Sequence, residues 1–140
     1  MTDPDSSYFV DTNIWLYAFI SSQDSEKSKK AQEFILTHQG NLVVSTQVIN
    51  EVCVNLIRKA NMSEESVREV IKSFYRRYDV LVLEKSMLIK ASELRQRYAI
   101  SYWDSLIVAS ALAANATVLY SEDMQDGLVV DGRLTIKSPF

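Results

Sequence analysis

The sequence predicts an α/β domain with a largely parallel central sheet that helices cover on both faces. Short apolar runs alternate along the chain with segments whose apolar residues recur at helical spacing. The short runs are apolar throughout, which is typical of parallel strands buried on both faces. The chain has 140 residues, 47% hydrophobic and 24% charged, and this size suits a single domain over residues 1–140.

The first half of the chain is predicted to contain two strands and three helices. The strands are 8–10 and 42–44, and the helices are 13–20, 25–36 and about 46–59. The first strand is a short apolar run that stops at Asp11. Either Ser45 or Thr46 is suited to cap the third helix, because a hydroxyl there accepts from the free N–H groups of the first turn. We expect the apolar stripe of that helix, including Ile57, to face inward.

The second half continues the alternation with three helices and three strands. The helices are 64–78, capped by Ser63, then 87–98 and 103–114, and the strands are 80–83, 117–120 and 134–136. The segment 103–114 is apolar almost all round, so we expect a central buried helix with Trp103 packed in the core. We expect strand 134–136 at an edge of the sheet.

The counts of reactive residues exclude several kinds of site. The single Cys53 forbids an internal disulfide and a cysteine-rich zinc site, and it is typical of a reduced, cytoplasmic protein. The single His38 argues against a histidine-based triad, and three glycines do not form a G-x-G-x-x-G loop or a P-loop. The longest nearly apolar run, 106–114, is too short to span a membrane, and the acidic start at residues 1–5 is not typical of a secretory signal. Carboxylates are therefore the best-supplied reactive groups.

Four carboxylates are predicted to meet at one edge of the sheet. Asp11 ends the first strand, and Asp123 follows strand 117–120 in an acidic loop. Glu51 and Asp104 lie in the first turns of helices that follow strands or loops at the same edge. Ligands of open parallel sheets bind outside the carboxyl ends of the strands. We therefore expect these four side chains to form one site.

Each carboxylate also has a structural alternative. Asp104 is compatible with a plain helix cap or with a partner of the helix dipole. Glu51 is compatible with the margin of an apolar stripe, and Asp123 with a solvated loop. Asp11 is harder to explain in this way, because it interrupts an apolar strand–helix junction where burial is costly without partners. If the four converge, their mutual repulsion should raise the pKa of at least one of them in the metal-free protein.

Oxygen-only sites suit Mg²⁺ or Mn²⁺. Mg²⁺ commonly takes one or two protein carboxylates and leaves other positions to water and substrate phosphate. Such ions activate water and stabilise the leaving oxygen of a phosphodiester displacement, with no need for His or Cys. A metal-dependent phosphodiester hydrolase is therefore the chemistry that the pattern favours.

Four short motifs occur in order along the chain. They are Val10-Asp11-Thr12-Asn13, Asn50-Glu51, Tyr102-Trp103-Asp104-Ser105 with the following Leu106 to Ala111, and Ser121-Glu122-Asp123. In order and spacing they resemble those of PIN-domain ribonucleases, and the chain looks most like the toxin subunits of VapBC-type toxin–antitoxin pairs. The resemblance covers nearly the whole chain. It implies a three-layer α/β/α sandwich around a mainly parallel sheet.

The resemblance also implies roles for particular residues. Asp11 and Asp104 would be the main ligands of Mg²⁺ or Mn²⁺, and Glu51 and Asp123 would complete a catalytic quartet. Thr12 would contact phosphate or a metal-bound water. The family often has Thr-x-Asp at the fourth position, so Glu122 or Asp126 is an alternative to Asp123. The resemblance further implies an RNA substrate, a homodimer, and silencing by an antitoxin protein whose tail enters the active-site groove.

Two other functions stay open at the level of sequence. A catalytically inert PIN-like binding module would keep the fold without the activity. A receiver-like phosphoacceptor domain has a similar size and α/β pattern, but it would need an acidic pair after the first strand, where this chain has Asp11-Thr12. Basic residues near helix ends and three aromatic residues are candidates for RNA contacts or for ordinary packing: Arg58, Lys59, Arg76, Arg77, Arg95, Arg97, Tyr17, Tyr102 and Trp103.

Overall fold

A computed structural model describes residues 6–20 and 24–140 and contains six strands and six α-helices in that part of the chain. The strands are β1 (Ser7–Val10), β2 (Leu42–Ser45), β3 (Asp79–Leu81), β4 (Ala116–Tyr120), β5 (Val129–Val130) and β6 (Leu134–Lys137). The helices are α1 (Thr12–Phe19), α2 (Ser25–His38), α3 (Thr46–Ala60), α4 (Glu64–Arg77), α5 (Lys85–Arg97) and α6 (Tyr102–Ala113). The acidic segment 1–5 lies outside the described residues.

The strands form one sheet in the order β3-β2-β1-β4-β6-β5. All neighbouring pairs are parallel except β5 with β6. The central strand β1 places Phe9 opposite Val43 on one side and Leu119 on the other. The predicted α/β fold with a mainly parallel sheet is therefore confirmed.

The helices cover both faces of the sheet. Parallel crossovers are almost always right-handed, and the chain reverses its direction across the sheet between β3 and β4. This reversal puts α1 to α4 on one face and α5 and α6 on the other. The packing agrees, because α1 contacts α2 and α3, α3 contacts α4, and α5 contacts α6. Eight consecutive buried residues, 105–112, show that α6 lies deep in its layer.

The prediction that the last strand is an edge strand was wrong. A two-residue strand, β5, pairs antiparallel with β6 and occupies the edge. The turn between them has positive φ at Asp131 and Gly132, as a tight hairpin turn of type I′ requires. An Asp-Gly pair between apolar runs is a recognised hairpin signal, so the sequence contained this information.

Two predictions of burial were also wrong. Ile57 is 38% exposed on α3, and Trp103 is 65% exposed in the first turn of α6. Trp103 precedes the buried run 105–112 of α6, and apolar periodicity alone does not show where such a run begins. Within the described residues, no helix is long and apolar enough to cross a membrane.

Candidate acidic site at the carboxyl edge of the sheet

Asp11 lies where β1 ends and α1 begins. Its backbone N–H donates to the Tyr120 carbonyl over 2.9 Å, which ties it to the end of β4. One carboxylate oxygen accepts from the Thr12 backbone N–H at 2.7 Å and so caps α1. The other accepts from the hydroxyl of the fully buried Ser121 at 3.0 Å. The strands β1 and β4 flank the point where the sheet reverses its strand order, which is where open α/β sheets bind ligands.

The environment of Asp11 disfavours its charge. The pKa of this carboxyl is raised from 3.8 to about 6, chiefly by burial, while its two hydrogen bonds oppose the change. The negative charges of Asp104 and Glu51 raise the pKa further. The sequence predicted that repulsion would raise the pKa of at least one acid; repulsion contributes at Asp11, but burial contributes more. Glu51 and Asp104 therefore belong to the electrostatic environment of Asp11.

Glu51 is held by two neighbours. The hydroxyl of the buried Thr12 donates to one carboxylate oxygen at 2.7 Å, and the side-chain amide of Gln47 donates to the other at 3.2 Å. Thr12 therefore joins Glu51 to Asp11 through its hydroxyl and its backbone N–H. Gln47 lies one turn before Glu51 on α3, and among the described residues its Oε1 is a buried side-chain oxygen without a hydrogen-bond partner. An ordered water would satisfy that oxygen.

Asp104 and Asp123 face a common cavity. This cavity of about 130 Å³ lies between the start of α6 and the loop after β4, and both carboxylates line it. Ser101 caps α6 by accepting from the Asp104 backbone N–H at 3.2 Å. Asp104 is therefore not the helix cap, but it lies in the first turn of α6, where a carboxylate also suits the helix dipole. Asp123 accepts a short hydrogen bond from the side-chain amide of Asn13.

The other two acids of the loop are occupied elsewhere. Glu122 accepts from the Tyr17 hydroxyl at 2.9 Å and pairs with the Lys27 ammonium at 2.6 Å. Asp126 accepts from the backbone N–H of Ser138 at 2.9 Å. The geometry therefore gives Asp123, rather than Glu122 or Asp126, the position beside Asp104.

Sequence reasoning missed three residues that organise this site. Ser121 supports Asp11, Asn13 supports Asp123, and Gln47 supports Glu51. The first two stand inside the recognised motifs, but a motif does not show which neighbour a side chain contacts. Gln47 precedes Glu51 by four residues, a spacing that places both on one face of a helix.

The donor set suits a hard divalent cation. Carboxylate, hydroxyl and amide oxygens surround the edge, and the described residues offer no nearby His or Cys ligand. The same residues contain no group of three or more acidic, His or Cys side chains gathered closely enough to enclose an ion. Mg²⁺ needs only one or two carboxylates, so the chemistry of this edge fits it without a preformed cage.

Fold and site together define an α/β domain with an oxygen-donor, acidic site at the carboxyl edge of a parallel sheet. The chain belongs to the PIN domain family, which it matches over residues 8–125. No curated protein matches the chain.

Solved structures of toxin–antitoxin proteins share this fold. A toxin–antitoxin complex from Klebsiella pneumoniae has a TM-score of 0.71 and 20% identity over 96% of this chain and 98% of that one. DNA-bound VapBC from Salmonella typhimurium has a TM-score of 0.70 and 16% identity over 96% and 99%. VapC20 from Mycobacterium tuberculosis, a toxin that cleaves the sarcin–ricin loop, has a TM-score of 0.66 and 18% identity over 84% and 92%. These likenesses establish the PIN fold.

Proposed function

We propose that this protein is a metal-dependent RNA endonuclease and the toxin of a toxin–antitoxin pair. The observation that carries the proposal is the half-buried Asp11 carboxylate at the carboxyl edge of the sheet, held there by Thr12 and Ser121. Its charge is disfavoured by burial and by the charges of Glu51 and Asp104. A carboxyl group whose pKa is perturbed in this way is a candidate for a functional site. Membership of the PIN family and the fold shared with toxin structures support the assignment.

The residues of the acidic site have distinct roles in this proposal. Asp11 and Asp104 would hold Mg²⁺ or Mn²⁺, with Glu51 and Asp123 completing the acidic site. A divalent cation there would activate water and stabilise the leaving oxygen of the phosphodiester. Thr12 orients Glu51 through its hydroxyl, and Ser121 and Asn13 fix Asp11 and Asp123. These contacts keep the carboxylates in place without consuming all of their lone pairs.

The partners follow from the same proposal. The substrate is RNA, and the protein forms a homodimer. A cognate antitoxin protein is its partner, and the pair is located in the cytoplasm. The receiver-like alternative loses support, because the sheet order here differs from the 2-1-3-4-5 order of receiver sheets. An inert PIN-like binding module is the remaining alternative, and catalysis is what separates the two.

Cleavage of structured RNA by the purified protein tests the proposal. We expect cleavage with Mg²⁺ or Mn²⁺, none with EDTA, and products with 5′-phosphate and 3′-hydroxyl ends. Asp11→Asn and Asp104→Asn should each lower the rate at least about 100-fold while remaining folded, because Asn keeps the shape but not the charge. The matched control is Asp126→Asn, whose carboxylate is bonded to Ser138 and should leave the rate within a few-fold.

Growth tests distinguish a toxin from other nucleases. Expression of the parent should arrest growth, Asp11→Asn should not, and co-expression of the antitoxin should restore growth. Undiminished cleavage in EDTA, or cyclic phosphate ends, would contradict the metal-dependent mechanism. Absence of cleavage under all conditions would favour the inert binding module.

A further inference from the structure

Two large aromatic side chains are exposed beside the acidic site. Trp103 is 65% exposed and Tyr102 is 54% exposed, and they directly precede Asp104 in the first turn of α6. The rest of that helix is buried from residue 105 to residue 112. Ser101 and Asp104, on either side of the aromatic pair, both line the acidic cavity. The exposed rings therefore adjoin the place where a phosphodiester would bind.

The aromatic pair is held in place by a cation. The guanidinium carbon of Arg95, on α5, lies 4.4 Å from the centroid of the Tyr102 ring. The same guanidinium donates to the hydroxyl of the fully buried Ser105 at 2.7 Å, and this hydroxyl donates to the Tyr102 carbonyl at 2.5 Å. Arg95 therefore covers one face of Tyr102 and is itself anchored in the protein.

Trp103 is supported by Tyr102. The two rings meet edge to face, with centroids 5.2 Å apart and an angle of 77° between the planes. Because Arg95 and Trp103 both contact Tyr102, the tyrosine orders the cluster, whereas Trp103 keeps most of its surface in solvent. An exposed, oriented indole next to a cation is a surface on which unpaired bases stack.

We propose that Trp103, supported by Tyr102 and Arg95, is a stacking platform for a base of the single-stranded RNA segment that enters the acidic site. This inference rests on the proposed function and adds to it the residues that would hold an unpaired base beside the acidic site. Bases of a duplex are already stacked and hidden from a side chain, whereas bases of loops and bulges are free to stack on an aromatic ring. The guanidinium of Arg95 adds positive charge for the neighbouring phosphate.

A second protein copy is the competing occupant of this surface. The two rings alone would bury about 150–250 Å² each, so a stable dimer of roughly 800 Å² per partner would need many further contacts. The continuity of the platform with the acidic cavity favours the nucleic acid. The experiments below separate the two occupants.

Fluorescence quenching tests the platform directly. The chain has two tryptophans, of which Trp15 is 2% exposed and Trp103 is 65% exposed, so solvent-accessible quenching reports on Trp103. A short single-stranded RNA of mixed sequence is titrated into the Asp11→Asn variant, which binds without cutting. We expect saturable quenching, little quenching by an abasic oligonucleotide of equal length, and none in the doubly substituted Asp11→Asn, Trp103→Phe protein.

Kinetics give a second readout. Trp103→Ala should raise KM for RNA about 10-fold or more with a smaller effect on kcat, and Trp103→Phe should restore most of the loss. The matched control is Tyr75→Ala, an aromatic residue 55% exposed on α4 at the opposite face of the sheet, which should leave KM unchanged. The melting temperature of Trp103→Ala should stay close to that of the parent, because the ring is exposed.

Three outcomes would overturn the platform. Equal quenching by abasic and normal RNA would mean that phosphates alone are contacted. An unchanged KM in Trp103→Ala would mean that the ring does not contribute to substrate binding. A weaker homodimer in sedimentation, with unchanged RNA binding, would assign the surface to a second copy. If the parent protein does not cleave RNA at all, the proposed function fails, and the quenching experiment still decides whether bases stack on Trp103.

Discussion

Asp11 shows how one residue serves both the fold and the site. Its carboxylate caps α1, accepts from Ser121 at the end of β4, and lies close enough to Glu51 and Asp104 for their charges to raise its pKa. Two hydrogen bonds and the N-terminal end of a helix stabilise the anion, but burial outweighs them. In the metal-free protein, the ionised Asp11 carboxylate therefore lowers the free energy of unfolding.

The pH dependence of that cost is a prediction at the residue scale. The pKa of Asp11 is about 6 in the folded protein against a reference value of 3.8. Protonation of this carboxyl therefore adds to the free energy of unfolding in full below about pH 4, and the contribution is lost as pH rises through 6. At neutral pH, the loss in the free energy of unfolding that ionised Asp11 causes is at most about 3 kcal/mol. In EDTA, Asp11→Asn should therefore melt at an equal or higher temperature than the parent at pH 8, and the gain should vanish near pH 4.

A second aspartate cap supplies the control for this experiment. Asp24 caps α2 by accepting from two backbone N–H groups at 3.1 Å. Asp24→Asn should show no gain at pH 8, since its hydrogen bonds are made at the protein surface. A loss of stability in Asp11→Asn that is equal at every pH would mean that Asp11 acts only as a structural cap.

At the scale of elements, the first turn of α6 connects stability with the site. Ser101 caps this helix, Tyr102 and Trp103 form the aromatic pair, and Asp104 lines the acidic cavity. Four consecutive residues thus depend on where the helix begins. A helix end is held by its cap, because the first N–H groups have no partner within the helix.

Removing the cap of α6 should therefore lower the rate of RNA cleavage by more than the accompanying loss of stability explains. Ser101→Ala loses the hydrogen bond to the Asp104 N–H and should cost about 0.5–2 kcal/mol. Ser63→Ala is the matched control, because Ser63 caps α4 with a bond of the same 3.2 Å length. Thermal melting should show similar losses for both variants, while RNA cleavage should fall several-fold only in Ser101→Ala. Equal activity in the two variants would mean that the cap does not position Asp104.

At the scale of the whole molecule, the reversal of strand order places the four candidate acids at one edge of the sheet. Asp11 follows β1, Glu51 lies on the helix after β2, and Asp123 follows the neighbouring strand β4. Asp104 lies on α6, in the helix layer that covers the other face of the sheet from α1 and α3. No local segment contains the site, so a ligand bound there holds both layers and the sheet together.

Binding of Mg²⁺ should accordingly stabilise the entire fold. An ion that binds only the native state adds about 2.7 kcal/mol when its concentration is 100 times Kd, which is roughly 10 °C in melting temperature for a domain of this size. Melting curves with Mg²⁺ and with EDTA measure the shift. Asp11→Asn should lose most of it, and Glu33→Gln, an exposed acid on α2, should keep it. The absence of any shift in the parent would contradict a cation site at this edge.

The sequence by itself determined the class of fold and the four candidate acids. Apolar strands and helical periodicity are local properties, and the motifs around Asp11 and Asp104 placed the acids at the ends of elements. Periodicity also identified the buried residues of α6, but it wrongly predicted burial for Trp103, which is 65% exposed. The short strand β5 was missed although Asp131-Gly132 marks its turn.

Only the tertiary structure decided which groups meet. The contacts of Asp11 with Ser121 and of Asn13 with Asp123 each join residues 110 positions apart, and no local pattern encodes such a distance. Glu122 is engaged by Lys27 and Tyr17, which lie 95 and 105 positions away, and Asp126 by Ser138, 12 positions away. Asp123 is the loop acid that lines the cavity with Asp104. Local sequence fixes backbone conformation through short-range sterics and apolar spacing, whereas charge, burial and hydrogen bonding in a site are set by neighbours that folding brings together.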